Sequence, residues 1–138
     1  MWRSGEVQRL ICTSGFGNGV NNPHCRHVVH CRSPVKMCRY VQETGRAGRD
    51  GRKARAVLFY TEREVPCDPC IEAPDAAGQL AMTQYISQRN QCRRLVISSW
   101  SDGKERVQSC SSIPAAELCD WCLVRFFRLS LHRSDCLY

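Results

Sequence analysis

The sequence predicts an α/β fold in its first part, followed by a small helical region with clustered cysteines. Strand-forming segments, a glycine-rich loop at 14–19 and a helical pattern alternate over about the first 60 residues, which is typical of a sheet with parallel strands. Prolines and a glycine then interrupt regular secondary structure over residues 63–78, which predicts a linker. These shifts predict four regions: an α/β part at 1–62, a linker at 63–78, a helical subdomain at 79–125 and a tail at 126–138.

The α/β part is predicted from its strand-forming residues and one helix start. Apolar and β-branched residues are concentrated in three short runs. Ser33 and Pro34 have the residue types favoured at a helix N-cap and first helical position. We therefore predict strands at 8–13, 26–31 and 55–60, and a helix from Val35 to about Arg49.

The helical subdomain is predicted from the pattern between Gln79 and Trp100, with a break near Asn90. Asp102 and the glycine after it predict the end of this helix. A serine-rich loop follows, and the stretch 124–138 shows no clear pattern.

Positive charge is concentrated rather than evenly spread. The 138 residues carry a formal charge of +7, and Arg39–Arg55 contains six basic and two acidic residues, a net of +4. Such a concentration favours an anionic partner, such as nucleic acid or nucleotide phosphates. The alternative is a basic surface that only keeps the protein soluble.

Eleven cysteines indicate either bound metal or disulfide bonds. The N-terminal residues lack the apolar core of a signal peptide, and no apolar run approaches the roughly 20 residues that span a bilayer. We therefore expect an intracellular protein without a membrane association, in which clustered cysteines favour metal. A secreted, disulfide-linked protein is the alternative, which the odd cysteine count disfavours.

A ten-residue segment from Gln42 to Gly51 carries the strongest chemical signal. If the predicted helix continues, Gln42, Arg46 and Arg49 fall on one stripe, since they are spaced i, i+4 and i+7. Gly45 and Gly48 have no side chains, so another molecule can approach the surface beside this stripe closely. Guanidinium groups form forked, charge-assisted bonds with phosphate oxygens, so the segment predicts a phosphate site. The alternative is a solvated helix face.

Two segments resemble successive motifs of superfamily-two helicases in the form used by the RecQ family. Gln42–Gly51, which reads QETGRAGRDG, resembles the last helicase motif, and Cys12–His30 resembles the motif before it, at the expected distance. The residues of these two segments most resemble those of fungal, telomere-linked RecQ-like helicases. The resemblance covers Glu6–Tyr60 and Gln79–Leu123, and it implies part of the second RecA-like lobe followed by a zinc-binding subdomain.

The resemblance also implies roles for individual residues in an ATP-dependent, three-prime to five-prime nuclear DNA helicase. It places Arg49 at the arginine-finger position, with Arg46 as a second catalytic residue. It implies that Gln42, Gly45 and Asn22 contact the nucleotide, Asn22 at the ribose. It also implies that the glycine-rich loop, which contains Ser14, Gly17 and Gly19, couples ATP to DNA movement.

The cysteines near the C-terminal end resemble the RecQ zinc-binding subdomain. Cys92 matches its start, and Cys110, Cys119 and Cys122 supply three further thiolates, enough for a tetrahedral zinc site. Eight residues separate Cys110 from Cys119, where many relatives have two, so Cys110 is the least certain ligand. Free or disulfide-bonded cysteines are the alternative. We read Cys67 and Cys70, which also have metal-ligand spacing, as linker residues.

The sequence contains neither a Walker-type phosphate loop nor an Asp-Glu pair for magnesium. We therefore expect this chain to use ATP with magnesium only beside a complete first lobe, supplied by a missing helicase lobe or an oligomeric partner, and not to hydrolyse ATP alone. The rival hypothesis is a stand-alone, zinc-dependent DNA-binding module without catalysis. Arg93, Arg94 and the aromatic tail at Phe126 and Phe127 would then contact DNA.

Overall fold

The computed structural model describes residues 2, 4–13, 15, 21–61, 73–88, 90–102 and 107–134, with side chains left out at 73–75 and 128–134. The chain forms two compact units, Met1–Cys70 and Ile71–Tyr138. Among the described residues, no helix is both long enough and apolar enough to cross a membrane.

The first unit contains two parallel strands joined by a helix. Strand β1 is His27–His30, helix α1 is Met37–Thr44 and strand β2 is Arg55–Leu58. The strands pair in register from His27 opposite Arg55 to His30 opposite Leu58. Because the strands are parallel, α1 serves as the crossover between them. The strands predicted at 26–31 and 55–60 are therefore confirmed.

Helix α1 packs through one apolar face. Met37 and Tyr40, spaced i and i+3, are 0% and 3% exposed. The ring of Tyr40 lies 5.3 Å from the ring of His30 on β1. Nε2 of His30 also lies 2.7 Å from Oε2 of Glu43 on α1. A polar contact therefore joins β1 to α1 next to the ring contact of Tyr40.

Two predictions for the first unit are wrong. Residues 8–13 form no strand; Leu10 and Ile11 are exposed, Ile11 completely, because the described sheet contains only β1 and β2 and offers this segment no partner. Helix α1 begins at Met37, with Lys36 as an N-cap that makes no side-chain cap bond. The Ser33 hydroxyl bonds instead to the carbonyl of Pro34, so it is not the cap.

The described residues of the second unit form three helices: α2 at Ala73–Ser87, α3 at Arg93–Ser101 and α4 at Asp120–Ser134. Its buried side chains include Met82, Tyr85 and Ile86 on α2. The predicted break near Asn90 and the helix end at Asp102 are confirmed. Two differences appear: α2 begins inside the predicted linker, and α4 occupies most of the stretch for which the sequence predicted no structure.

Candidate arginine turn and candidate metal centre

Helix α1 ends before the two arginines of the Gln42–Gly51 segment. Gly45 is the C-cap, and its N–H donates to the carbonyl of Val41 at 2.9 Å. Gly48 has φ +72°, a left-handed conformation that glycine adopts without strain. A Cβ there would lie 3.0 Å from the Cβ of Ala54 and the carbonyl oxygen of Arg52. The predicted single helical stripe is therefore wrong, because Arg46 and Arg49 lie on the turn after α1; we call residues 45–51 the arginine turn.

Arg49 is exposed on the arginine turn, and two contacts hold its guanidinium group. Its Nη1 donates to Oδ1 of Asn21 at 2.8 Å, and its Nε donates to the carbonyl of Gly45 at 3.3 Å. Arg46 is half-buried, and Gln42 is exposed on α1. The turn therefore presents a guanidinium group to solvent in a defined position.

The sequence singled out Asn22, as a predicted ribose contact, and not its neighbour Asn21. Oδ1 of Asn22 accepts the backbone N–H of His24 at 3.0 Å, which makes it part of a local turn. Asn21 is the residue that contacts Arg49. The tandem Asn21 and Asn22 was the available signal, but Asn21 and Arg49 are 28 positions apart in the sequence, so the pairing was not evident.

The arginine turn is also tied to the segment before β1. Nη2 of Arg26 lies 2.7 Å from Oδ1 of Asp50, and the N–H of Gly48 donates to the carbonyl of Cys25 at 3.0 Å. The hydrogen bond from the Arg26 side chain holds the pKa of Asp50 below its usual value.

This ion pair predicts a specific pH dependence of stability. Because the folded-state pKa of Asp50 is depressed, its contribution is fully present above the unfolded value of about 4. The contribution is lost as pH falls through the lower folded-state pKa. We expect Asp50→Asn to flatten the acid limb of a plot of unfolding free energy against pH, measured by urea denaturation. An unchanged acid limb would contradict the pairing.

Several predicted site residues lie outside the described part of the chain. Ser14, Gly17 and Gly19, which carry the predicted DNA-coupling loop, belong to this group, as do Cys67 and Cys70. The DNA-coupling role therefore stays a prediction.

In the second unit, four cysteines lie close together, three of them at the starts of helices and one in a turn. Cys92 is the residue before α3, and Cys122 lies in the first turn of α4. Cys110 lies in a turn between the helices, and Cys119 directly precedes α4. Their Sγ atoms all lie within 4.8 Å of one another, with Cys92 at 3.5 Å from Cys110 and 3.9 Å from Cys119.

The thiols of this cluster differ in their tendency to ionise. Burial opposes ionisation of Cys92, but N–H donors of Cys110 and Leu95, together with the thiols of Cys110 and Cys122, lower its pKa to about 7. Burial raises the pKa of Cys110, and burial together with the neighbouring thiols raises the pKa of Cys122. One thiolate therefore forms readily, and further negative charge needs a cation to balance it.

The geometry of the cluster fits a tetrahedral metal ion. Zinc–sulfur bonds of about 2.3 Å place tetrahedral sulfurs roughly 3.8 Å apart, close to the distances between Cys92 and its two neighbours. Backbone N–H groups already point at the sulfurs: Arg93 donates to Cys119, Cys110 to Cys92 and Cys119 to Cys110, each at 3.4 Å. The eight-residue segment between Cys110 and Cys119 contains turns and leaves Cys110 beside the other cysteines.

The two arginines after Cys92 occupy internal positions rather than an open basic surface. Arg93 donates to the carbonyls of Tyr85 and Gln88 and to both carboxylate oxygens of Asp120, and its guanidinium lies 5.2 Å from the ring centre of Tyr85. It therefore links α2, α3 and α4. Arg94 is half-buried, and its Nη1 has no hydrogen-bond partner among the described residues. DNA contact by either arginine stays a prediction.

Comparison with known proteins identifies the family. Residues 1–51 match the helicase conserved C-terminal domain. The chain is 31% identical to the ATP-dependent DNA helicase Q1 of Pongo abelii over 124 residues, which is 88% of this chain and 18% of that protein. It is 35% identical to the ATP-dependent DNA helicase RecQ of Pasteurella multocida over 130 residues, 86% of this chain and 19% of that protein.

The chain belongs to the RecQ family of helicases. A plant relative, the ATP-dependent DNA helicase Q-like 2 of Arabidopsis thaliana, is 32% identical over 96 residues, 67% of this chain and 14% of that protein. The chain spans less than a fifth of the length of these three RecQ-family relatives.

Family membership confirms the resemblance found in the sequence. Two parallel strands joined by α1 fit a RecA-like α/β part in the first unit. The four-cysteine cluster has the donor set and spacing of a metal site. The closer likeness to fungal, telomere-linked RecQ helicases stays a prediction.

Proposed function

We propose that this chain supplies the arginine finger and the DNA-coupling loop of a RecQ-like, ATP-dependent DNA helicase. The observation that carries the proposal is the exposed guanidinium of Arg49, held by Asn21 and Gly45 on a turn within a RecQ-family sequence. In this proposal, the Walker loop and the magnesium ligands, which do not occur within residues 1–138, come from another lobe.

In this proposal, Arg49 stabilises charge on the phosphoryl group that ATP transfers to water. A guanidinium supplied from the side donates two bonds to the phosphoryl oxygens and is strongest where negative charge develops. The contact with Asn21 limits the positions open to this guanidinium, and such preorganisation lowers the entropic cost of reaching the phosphate. Arg46 contributes a second positive charge.

Three further residues contact the nucleotide in this scheme. Gln42, exposed on the last turn of α1, and Gly45, where backbone can approach closely, face the phosphates. Asn22 contacts the ribose. We propose that Gly17 and Gly19, with Ser14, transmit nucleotide binding to DNA, which moves three-prime to five-prime.

We also propose that Cys92, Cys110, Cys119 and Cys122 hold a structural zinc ion. When bound, zinc supplies folding free energy to a subdomain whose apolar core is small. The chain's own contribution is to bring four thiols together, three at helix starts and one in a turn, and to orient them with backbone N–H groups. DNA and ATP are the proposed partners, and the nucleus is the proposed location.

A chimera tests the helicase assignment. Residues 1–138 replace the matching segment of the Pasteurella multocida enzyme, and DNA-stimulated ATP hydrolysis is measured for the chimera and for the purified chain. We expect hydrolysis by the chimera and none by the chain alone. A correctly folded chimera that binds ATP and DNA but does not hydrolyse ATP would overturn the proposal.

A second candidate function rests on two exposed aromatic side chains. Phe126 and Phe127 on α4 are each 59% exposed, with Arg125 beside them, and aromatic and basic residues together bind single-stranded nucleic acid. A stand-alone DNA-binding module predicts salt-dependent binding by the purified chain without ATP, weakened at least about fivefold by Phe126→Ala with Phe127→Ala. Binding that survives both changes would exclude it.

A further inference from the structure

The side chain of Arg26, the residue before β1, donates hydrogen bonds from all three of its nitrogens. Its Nη2 donates to the carbonyl of Pro23 at 2.6 Å and to Oδ1 of Asp50 at 2.7 Å. Its Nε donates to the carbonyl of His24 at 3.2 Å, and its Nη1 donates to the carbonyl of Lys53 at 3.3 Å. One guanidinium therefore joins two separate segments of the first unit, residues 23–26 and residues 50–53.

These contacts, together with one backbone hydrogen bond, hold the two residues that flank Arg49 in the arginine turn. Asp50 directly follows Arg49, and its Oδ1 also accepts the N–H of Arg52 at 3.1 Å. The N–H of Gly48, directly before Arg49, donates to the carbonyl of Cys25. Both neighbours of Arg49 are thus fastened to the segment that precedes β1.

We propose that Arg26 is a positioning residue for Arg49, which it holds in place by clamping Asp50 and Lys53 to the segment before β1. The inference rests on the proposed function of Arg49 as the arginine finger and adds a residue that acts through it. All three nitrogens of Arg26 donate to protein oxygens, so its effect on catalysis passes through the arginine turn.

The clamp needs the fork of an arginine. Its planar guanidinium reaches acceptors in different directions from three nitrogens, whereas a lysine ammonium concentrates its donors at one point. The depressed pKa of Asp50 is consistent with a close contact between charges. We therefore expect Arg26→Lys to rescue little of what Arg26→Gln loses.

A double-mutant cycle in the chimera tests the inference. We expect Arg26→Gln to lower kcat for DNA-stimulated ATP hydrolysis about ten- to hundredfold, as expected for a misplaced catalytic group, with KM for ATP changed less than about threefold. In an Arg49→Ala background, the same substitution should change kcat less than about twofold, because its effect passes through Arg49. Arg55→Gln, an exposed change on β2, is the matched control and should leave kcat unchanged.

The isolated chain provides a second readout. Nuclear magnetic resonance relaxation of the Arg49 Nε–H group reports its order on the fast timescale. We expect Arg26→Gln to increase its motion and Arg55→Gln to leave it unchanged, while both variants retain the wild-type pattern of strand amides.

The outcomes separate the inference from the proposed function. If Arg49→Ala leaves kcat unchanged, the arginine-finger proposal fails. If Arg49→Ala lowers kcat but Arg26→Gln does not, or if Arg26→Gln lowers kcat equally in both backgrounds, the positioning role is overturned. An inactive wild-type chimera counts against the proposed function, and unchanged Arg49 motion in Arg26→Gln then overturns the inference.

Discussion

Replacing Cys119 with serine is expected to abolish the proposed zinc binding and unfold the second unit, Ile71–Tyr138. The Sγ of Cys119 lies 3.9 Å from that of Cys92 and accepts the N–H of Arg93, so its loss opens the cluster at its centre. Structural zinc sites contribute about 10–16 kcal/mol in small zinc peptides, which is comparable to the entire stability of a typical domain, about 5–15 kcal/mol. The loss of one ligand therefore has a disproportionate effect.

Mass spectrometry of the intact chain and circular dichroism measure this effect together. We expect about one zinc per wild-type chain, none in Cys119→Ser, and a lower helix content in the variant. Cys38→Ser is the matched control, because Cys38 is exposed on α1 and lies outside the cluster. Equal zinc content and helix content in Cys119→Ser and wild type would contradict the zinc proposal.

Replacing Arg49 with alanine in the chimera is expected to lower kcat by about three orders of magnitude, the size of effect attributed to arginine fingers. The KM for ATP should change little, because the guanidinium interacts most strongly with charge that develops in the transition state. Arg49→Lys should recover only part of the loss, since an ammonium cannot form the forked pair. DNA-stimulated kinetics measure both parameters.

Arg55→Gln is the matched control for Arg49→Ala. Arg55→Gln removes one positive charge from the same unit, so a nonspecific electrostatic effect would lower kcat in both variants. A rise in KM with unchanged kcat in Arg49→Ala would assign Arg49 to ordinary ATP binding.

Local sequence signals predicted the paired strands but not the limits of helix α1. The strands at 27–30 and 55–58 consist largely of residues that favour strands, and their pairing follows from one helical crossover. The end of α1 was placed too late because Arg46 and Arg49 suit a helix. The left-handed φ of Gly48 and its contact with Ala54 depend on tertiary structure, which spacing does not reveal.

The cysteine cluster was predicted because the residues from Cys92 resemble the start of the RecQ zinc-binding subdomain, which implies three further cysteines. Four thiols meet despite the long insertion between Cys110 and Cys119, since a loop between ligands changes length without moving its ends. Helix α4 was missed because exposed aromatic residues such as Phe126 and Phe127 obscure an amphipathic pattern.

The contacts that organise the arginine turn were beyond sequence reasoning. Arg49 meets Asn21 across 28 residues and Arg26 meets Asp50 across 24, and no periodicity connects such pairs. Similarly, Arg93 was predicted as a DNA contact because it is charged and lies beside a ligand. Its contacts with Tyr85 and Asp120 require the packed arrangement of three helices.

The affinity of the chimera for ADP with aluminium fluoride, relative to ADP alone, tests the central claim about Arg49 most directly. Aluminium fluoride imitates the transferring phosphoryl group, and groups that stabilise a transition state bind its analogues more tightly. We expect wild type to bind the complex at least about a hundredfold more tightly than ADP, and Arg49→Ala to lose most of this preference while still binding ADP. An equal preference in wild type and Arg49→Ala would contradict the arginine-finger role of Arg49.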